Sequence, residues 1–202
     1  MFMDWAVAII SALLGAVVGC GAGHFMTVRL FNERVNLQVR ALYSEFEIIR
    51  AKYVKDLIVK LSDFSEPIKE SYVISVPILD MSVIDAISVE LAGTNKVLNK
   101  EVRTLIAHAR QFALSLVDLS KEREEVNDFS KQDTKKFRAI TKQMIIIETQ
   151  MIFYMHKLAI ERENFNFGEY SYLEMAKVAS ELCGISFSQY PWQEILPVET
   201  TA

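Results

Sequence analysis

Residues 5–26 read WAVAIISALLGAVVGCGAGHFM, a run without a formal charge. At 1.5 Å of rise per residue, a helix of that length spans about 33 Å, enough to cross the hydrocarbon core of a bilayer. Asp4 precedes the run, and Arg29, Arg34 and Arg40 follow it. The excess of arginine on the C-terminal side predicts that this side is cytoplasmic and the N-terminus outside. Trp5 stands where an interfacial aromatic anchor belongs.

Two rival readings fit less well. A cleaved signal peptide carries a positive leading region, and the first five residues here hold only an acid. Val17-Val18-Gly19-Cys20 resembles a lipoprotein signal, but the residues after Cys20 stay apolar through Met26, where a polar tether belongs. The expectation is a retained single-pass anchor over residues 1–28.

The composition of this helix carries further information. Ser11, Gly15, Gly19 and Gly23 recur every four residues, and Ala8, Ala12, Ala16 and Cys20 form a second small row beside them. Glycine costs about 1 kcal/mol against alanine in a soluble helix interior. In a membrane helix, a small row lets neighbouring backbones approach closely, and dispersion then drives association. Two adjacent rows can serve two neighbours, as in a ring. A homo-oligomer in the lipid bilayer is therefore expected. His24, near the cytoplasmic end, either lines a lumen in that assembly or snorkels to the interface.

Working outward, residues 24–63 contain neither glycine nor proline. Val35, Val39, Leu42, Phe46, Ile49, Tyr53, Leu57 and Leu61 recur at spacings of three and four, an amphipathic stripe. This predicts a long juxtamembrane helix over residues 29–66, either continuous with the anchor or broken near residues 24–34. Pro67 closes it, and Ser71 to Pro77 read as an extended connector. Ser82 is the expected cap of a short helix ending near Leu91, with Gly93 after it. Asn99 is the expected cap of a helix from about Lys100 to Val126, whose apolar set is Val102, Leu105, Ile106, Phe112, Leu114, Leu116, Val117 and Leu119. Asn127-Asp128 marks a turn.

A further helix is expected from about Lys131 to Glu163. Its apolar centre contains Glu148, Gln150, His156 and Lys157, which suits a buried bundle helix better than a second membrane span. Ser171 and Glu174 form a capping box for a last helix ending at Gly184. The fold class that follows is all-α: an N-terminal transmembrane helix continuing into a cytoplasmic antiparallel bundle. The bundle occupies residues 67–190, completed by the long helix, and residues 191–202 form an irregular tail.

The chain has 22 Lys+Arg against 26 Asp+Glu, which argues against a globally basic nucleic-acid binder. Cys20 and Cys183 offer no disulfide framework. There is no glycine-rich phosphate loop, nucleophile elbow or Cys/His metal spacing, so neither a cofactor nor a metal is expected. The run Lys121-Glu122-Arg123-Glu124-Glu125 reads as a solvated helix face. Lys131, Lys135, Lys136, Arg138 and Lys142 offer a local contact for RNA or anionic headgroups, or simply a solvated helix start. Tyr43, Phe46 and Tyr53, and the group Phe165, Phe167, Tyr170 and Tyr172, read as packing aromatics.

Arg103 and His108 are separated by four residues. The pair resembles the R-x4-6-H motif of HEPN domains, small helical bundles that include dimeric RNases. Where that family often has Asn, Asp or His after the arginine, this chain has Thr104. The resemblance implies that His108 is a general acid/base and that Arg103 stabilises phosphate charge. The competing reading has Arg103 solvated and His108 packing along its helix. An N-terminal anchor with a small-residue row, followed by a HEPN-like bundle, is similar in layout to the membrane-anchored accessory proteins of type VI CRISPR antiviral systems. That resemblance implies a self-assembling protein that perturbs or permeabilises the inner membrane in antiviral defence. The alternatives are a membrane-tethered HEPN-type RNase and a membrane scaffold for a cytoplasmic protein.

Overall fold

A computed structural model of the chain describes residues 2–65, 81–92, 98–126 and 134–197, with side chains from residue 11 onward. Six α-helices are present among the described residues: α1 Phe2–Ser65, α2 Ser82–Ala92, α3 Lys100–Val126, α4 Thr134–Glu161, α5 Tyr172–Leu182 and α6 Trp192–Ile195. The fold is all-helical, as expected. The connector at Ser71 to Pro77, Gly93, the Asn127-Asp128 turn, Lys131 and the side chains of Trp5 and Ala8 lie outside the described residues.

Helix α1 is uninterrupted through residues 24–34, which decides between the continuous and the broken readings. It contributes to two compact units, residues 1–41 and residues 42–202. In the first unit, the side chains from Ser11 to Arg34 are all exposed. One window of this helix is long and apolar enough to cross a membrane, and none of it is buried within the chain.

In the second unit, the stripe lands where the spacing puts it. Leu42, Phe46, Ile49, Tyr53, Leu57 and Leu61 are buried, and Phe64 extends the row. Val102, Leu105, Ile106, Ala109 and Leu116 of α3, and Met144, Ile145, Met151, Ile152, Met155 and Leu158 of α4, are buried in the same unit, and the Asp63–Arg123 and Lys60–Glu148 pairs tie α1 to both helices. Each such side chain contributes about 1.5–3 kcal/mol on leaving water. Leu114, assigned to the core by spacing, is 68% exposed. It sits two residues before the buried Leu116, on a different side of α3.

The helix ends follow local chemistry. Asn99 Oδ1 accepts from the Val102 N–H at 2.8 Å, so the expected cap of α3 is in place. The first bond of α2 starts one residue before Ser82, because the Met81 carbonyl accepts from the Asp85 N–H at 2.8 Å. Ser171 and Glu174 form the expected reciprocal box, each bonding the other's backbone N–H. Helix α5 closes in a Schellman turn at Gly184, whose φ of +66° suits a residue without Cβ. Helix α4 ends where Arg162 takes φ of +51° and a 3-10 turn follows to Asn164.

The tail is more ordered than expected. Residues 192–195 form one helical turn, and Trp192, Ile195 and Leu196 are buried. Trp192 stacks on Phe187 with a 5.9 Å centroid separation. Pro191 precedes the turn, and the apolar payload after it supplies the reason to dock.

Candidate functional site

The candidate assembly face lies in the first unit. Ser11, Ala12, Gly15, Ala16, Gly19 and Gly23 all fall on the exposed part of α1. A Cβ built on Gly15, Gly19, Gly21 or Gly23 would meet nothing within 4 Å. The backbone there is helical, so conformation does not demand glycine either. Large apolar side chains flank the row: Leu13, Leu14, Val17, Val18, Phe25 and Met26 are all exposed. His24 is exposed at the C-terminal end of the run, and Thr27 Oγ1 donates to the Gly23 carbonyl at 2.9 Å. Arg29 pairs with Glu33 one turn on, at 3.0 Å.

Arg103 and His108 both lie within α3, and both are exposed. Five residues of helix rotate one side chain about 140° from the other and raise it about 7.5 Å. The two side chains therefore leave α3 on different sides of the helix. Thr104 Oγ1 donates back to the Lys100 carbonyl at 3.0 Å. His108 rests against two rings, Phe112 at 6.2 Å and Phe167 at 5.4 Å. It stands at the rim of a cavity of about 210 Å³ that Leu105, Phe112, Gln150, Tyr154 and Met155 also line.

The segment after α4 reaches this cavity through Phe167 and packs down through aromatic contacts. Phe167 meets Tyr154 at 5.2 Å and Phe165 at 5.3 Å, and Tyr170 meets Phe153 at 4.9 Å. Lys157 holds the segment down, donating to the Asn166 carbonyl at 2.5 Å beneath the Tyr170 ring. The packing role expected of Phe46, Tyr53 and Phe165 matches their burial.

The charged runs are placed differently from expectation. Arg123 is buried, not solvated: it donates to Asp63 at 2.5 Å and lies 4.5 Å from the Phe137 ring centroid. The basic run at the start of α4 is largely committed inside the chain. Lys136 pairs with Glu122 at 3.0 Å, Arg138 pairs with Glu194 at 2.9 Å and covers the Phe64 ring, and Lys142 donates to the Glu194 carbonyl.

One polar cluster in the core was not singled out by sequence. Lys60 of α1 is fully buried and donates to Asp56 on its own helix and to Glu148 Oε1 of α4, the latter at 2.6 Å. Tyr53, Asp56, Lys60 and Phe64 share one side of α1, so an i, i+3, i+7 scan through the apolar stripe finds the charged members. Nearby, Arg50 donates to His156 Nδ1 at 2.9 Å. Burial and the Arg50 charge both push the His156 imidazole below its ordinary range, which keeps it neutral with the hydrogen on Nε2. Among the described residues no group of three His, Cys, Asp or Glu side chains is arranged to hold a metal ion.

No protein-family model, curated protein or solved structure matches this chain.

Proposed function

We propose that this chain is a membrane-anchored protein that self-assembles through the small-residue face of α1 and acts on the bilayer as an oligomer. The observation that carries this reading is the glycine row. Gly15, Gly19 and Gly23 meet no atom of their own chain at the position a Cβ would take. Each costs helix propensity, about 1 kcal/mol against alanine in a soluble setting. A packed neighbour in the membrane offsets that cost by close backbone approach. The arginines at 29, 34 and 40 support a cytoplasmic bundle. The layout resemblance extends the proposal to perturbation of a bacterial inner membrane in antiviral defence.

The test is the mass of the detergent-solubilised protein by light scattering, corrected for bound detergent. The wild type is expected as a defined, ring-sized assembly of about six copies or more. Replacing Gly15, Gly19 and Gly23 with leucine should reduce it to monomers and dimers while the bundle's unfolding transition stays in place. A monomeric wild type, or an unchanged assembly in the variant, overturns the reading.

A further inference from the structure

Asp56, Lys60 and Glu148 form a buried group whose charges do not balance. The Lys60 and Glu148 side chains are 0% exposed, and Asp56 is 8% exposed. Lys60 Nζ is the only ammonium in contact with either carboxyl among the described residues. With all three ionised, the group carries one net negative charge where water is excluded. An unbalanced buried charge costs several kcal/mol, and a protein relieves it by taking up a proton.

The surrounding groups give no other relief. Tyr53 on α1 and Cys183 after α5 are neutral, held so by burial, and the Cys183 thiol is directed to the Val54 carbonyl at 3.6 Å. Burial pushes the Cys183 thiol up to about 11. Of the guanidiniums that meet this part of α1, Arg123 is matched by Asp63 and Arg50 is directed to His156. The Tyr53 hydroxyl and Glu148 Oε2 are buried without a partner. The Asp56 and Glu148 carboxylates both accept from the one Lys60 ammonium, which draws them toward each other. Two carboxylates facing each other are both acceptors, and the contact is favourable only when one carries a hydrogen. A proton on Glu148 supplies that donor, leaves Oε1 accepting from Lys60, and brings the net charge to zero.

We propose that Asp56, Lys60 and Glu148 form a proton-operated latch: Glu148 carries a proton while residues 42–65 of α1 are docked on α4, and its loss loosens that docking. Burial, reinforced by Asp56 and opposed by Lys60, holds the Glu148 carboxyl well above the usual carboxylate range. The sign follows from linkage. The unfolded chain releases this proton near the ordinary value of 4.5, and the folded chain releases it at higher pH. The latch therefore contributes its full stability below about pH 4.5 and loses it as pH rises toward the folded value. His156 works in the opposite direction, since its depressed value costs stability as pH falls below about 6.5. A comparison between variants that both keep His156 removes its contribution.

The experiment uses the full chain in detergent. Thermal unfolding is followed from about pH 5 to about pH 9, alongside the infrared carbonyl stretch of a protonated carboxylic acid. The wild type should show that band at neutral pH. Glu148→Gln retains an acceptor for Lys60 and presents an amide donor to Asp56. It should lose the band and gain over the wild type as pH rises, by up to about tenfold in the folding equilibrium per pH unit. Asp56→Asn retains Glu148 but leaves it alone with Lys60, a balanced pair, and the band should disappear there too. A wild type without the band overturns the proposal. So does a band that persists in Asp56→Asn, or a Glu148→Gln variant destabilised equally at every pH. If Glu148→Gln does not fold, the wild-type and Asp56→Asn spectra decide alone.

Discussion

Between Ser11 and Met26 every side chain of α1 is exposed, whereas between Leu42 and Phe64 the same helix buries seven apolar side chains. The two stretches are about equally apolar in purpose and opposite in composition. The first is built mainly from glycine, alanine, leucine and valine, and carries Gly15, Gly19, Gly21 and Gly23. The second has no glycine and draws on Phe46, Tyr53, Leu57 and Leu61 to reach α3 and α4. In water, large side chains remove the most area from solvent, and that area drives packing. In lipid, area gains nothing over the acyl chains, and close backbone approach becomes the useful property. Under the proposed membrane placement, one helix records two solvents in its side-chain sizes.

Substitutions can break that contrast or sharpen it. The largest effect is expected at Lys60. Lys60→Ala leaves Asp56 buried without its ammonium and should cost about 3–5 kcal/mol in chemical denaturation of the second unit. The assembly mass in detergent should not change, because the first unit is untouched. Next, Leu61→Ala should cost about 2–5 kcal/mol by the same measurement, since Leu61 is fully buried. The matched change Leu14→Ala, at a side chain 61% exposed, should leave the unfolding midpoint within error. Equal effects at the two leucines would dissolve the comparison. The smallest effect is at Ser171, where alanine removes the α5 box and should cost about 1 kcal/mol.

Much of this arrangement was legible in the sequence, because the signals were local. The stripe from Leu42 to Leu61, the Asn99 cap, the box at Ser171 and the glycine stop at Gly184 each depend on residues within a turn or two. What escaped was long-range partnering of polar groups. Arg123 sits in a run of charges that reads as a solvated face, yet Asp63, sixty residues earlier, draws it inside. Glu148 argues against a membrane span in its own helix, and nothing local to it points to its partner Lys60, 88 residues earlier. Trp192 was assigned to an irregular tail because one helical turn leaves no periodicity to detect. Arg103 and His108 show the converse: a spacing that suggests joint chemistry places them on different sides of α3.

Asn99 does more than start a helix. Its Oδ1 caps α3, while its amide donates to the carbonyls of Glu163, at 3.0 Å, and Phe165, at 3.2 Å. The first bond is made within three residues, and the other two close loops of 64 and 66 residues. The same side chain therefore takes part in a local event at the start of α3 and in a long-range closure of the bundle. Loop closure of that length is slow relative to helix initiation, so Asn99 acts as a clasp that is half-fastened early and finished only when the end of α4 arrives.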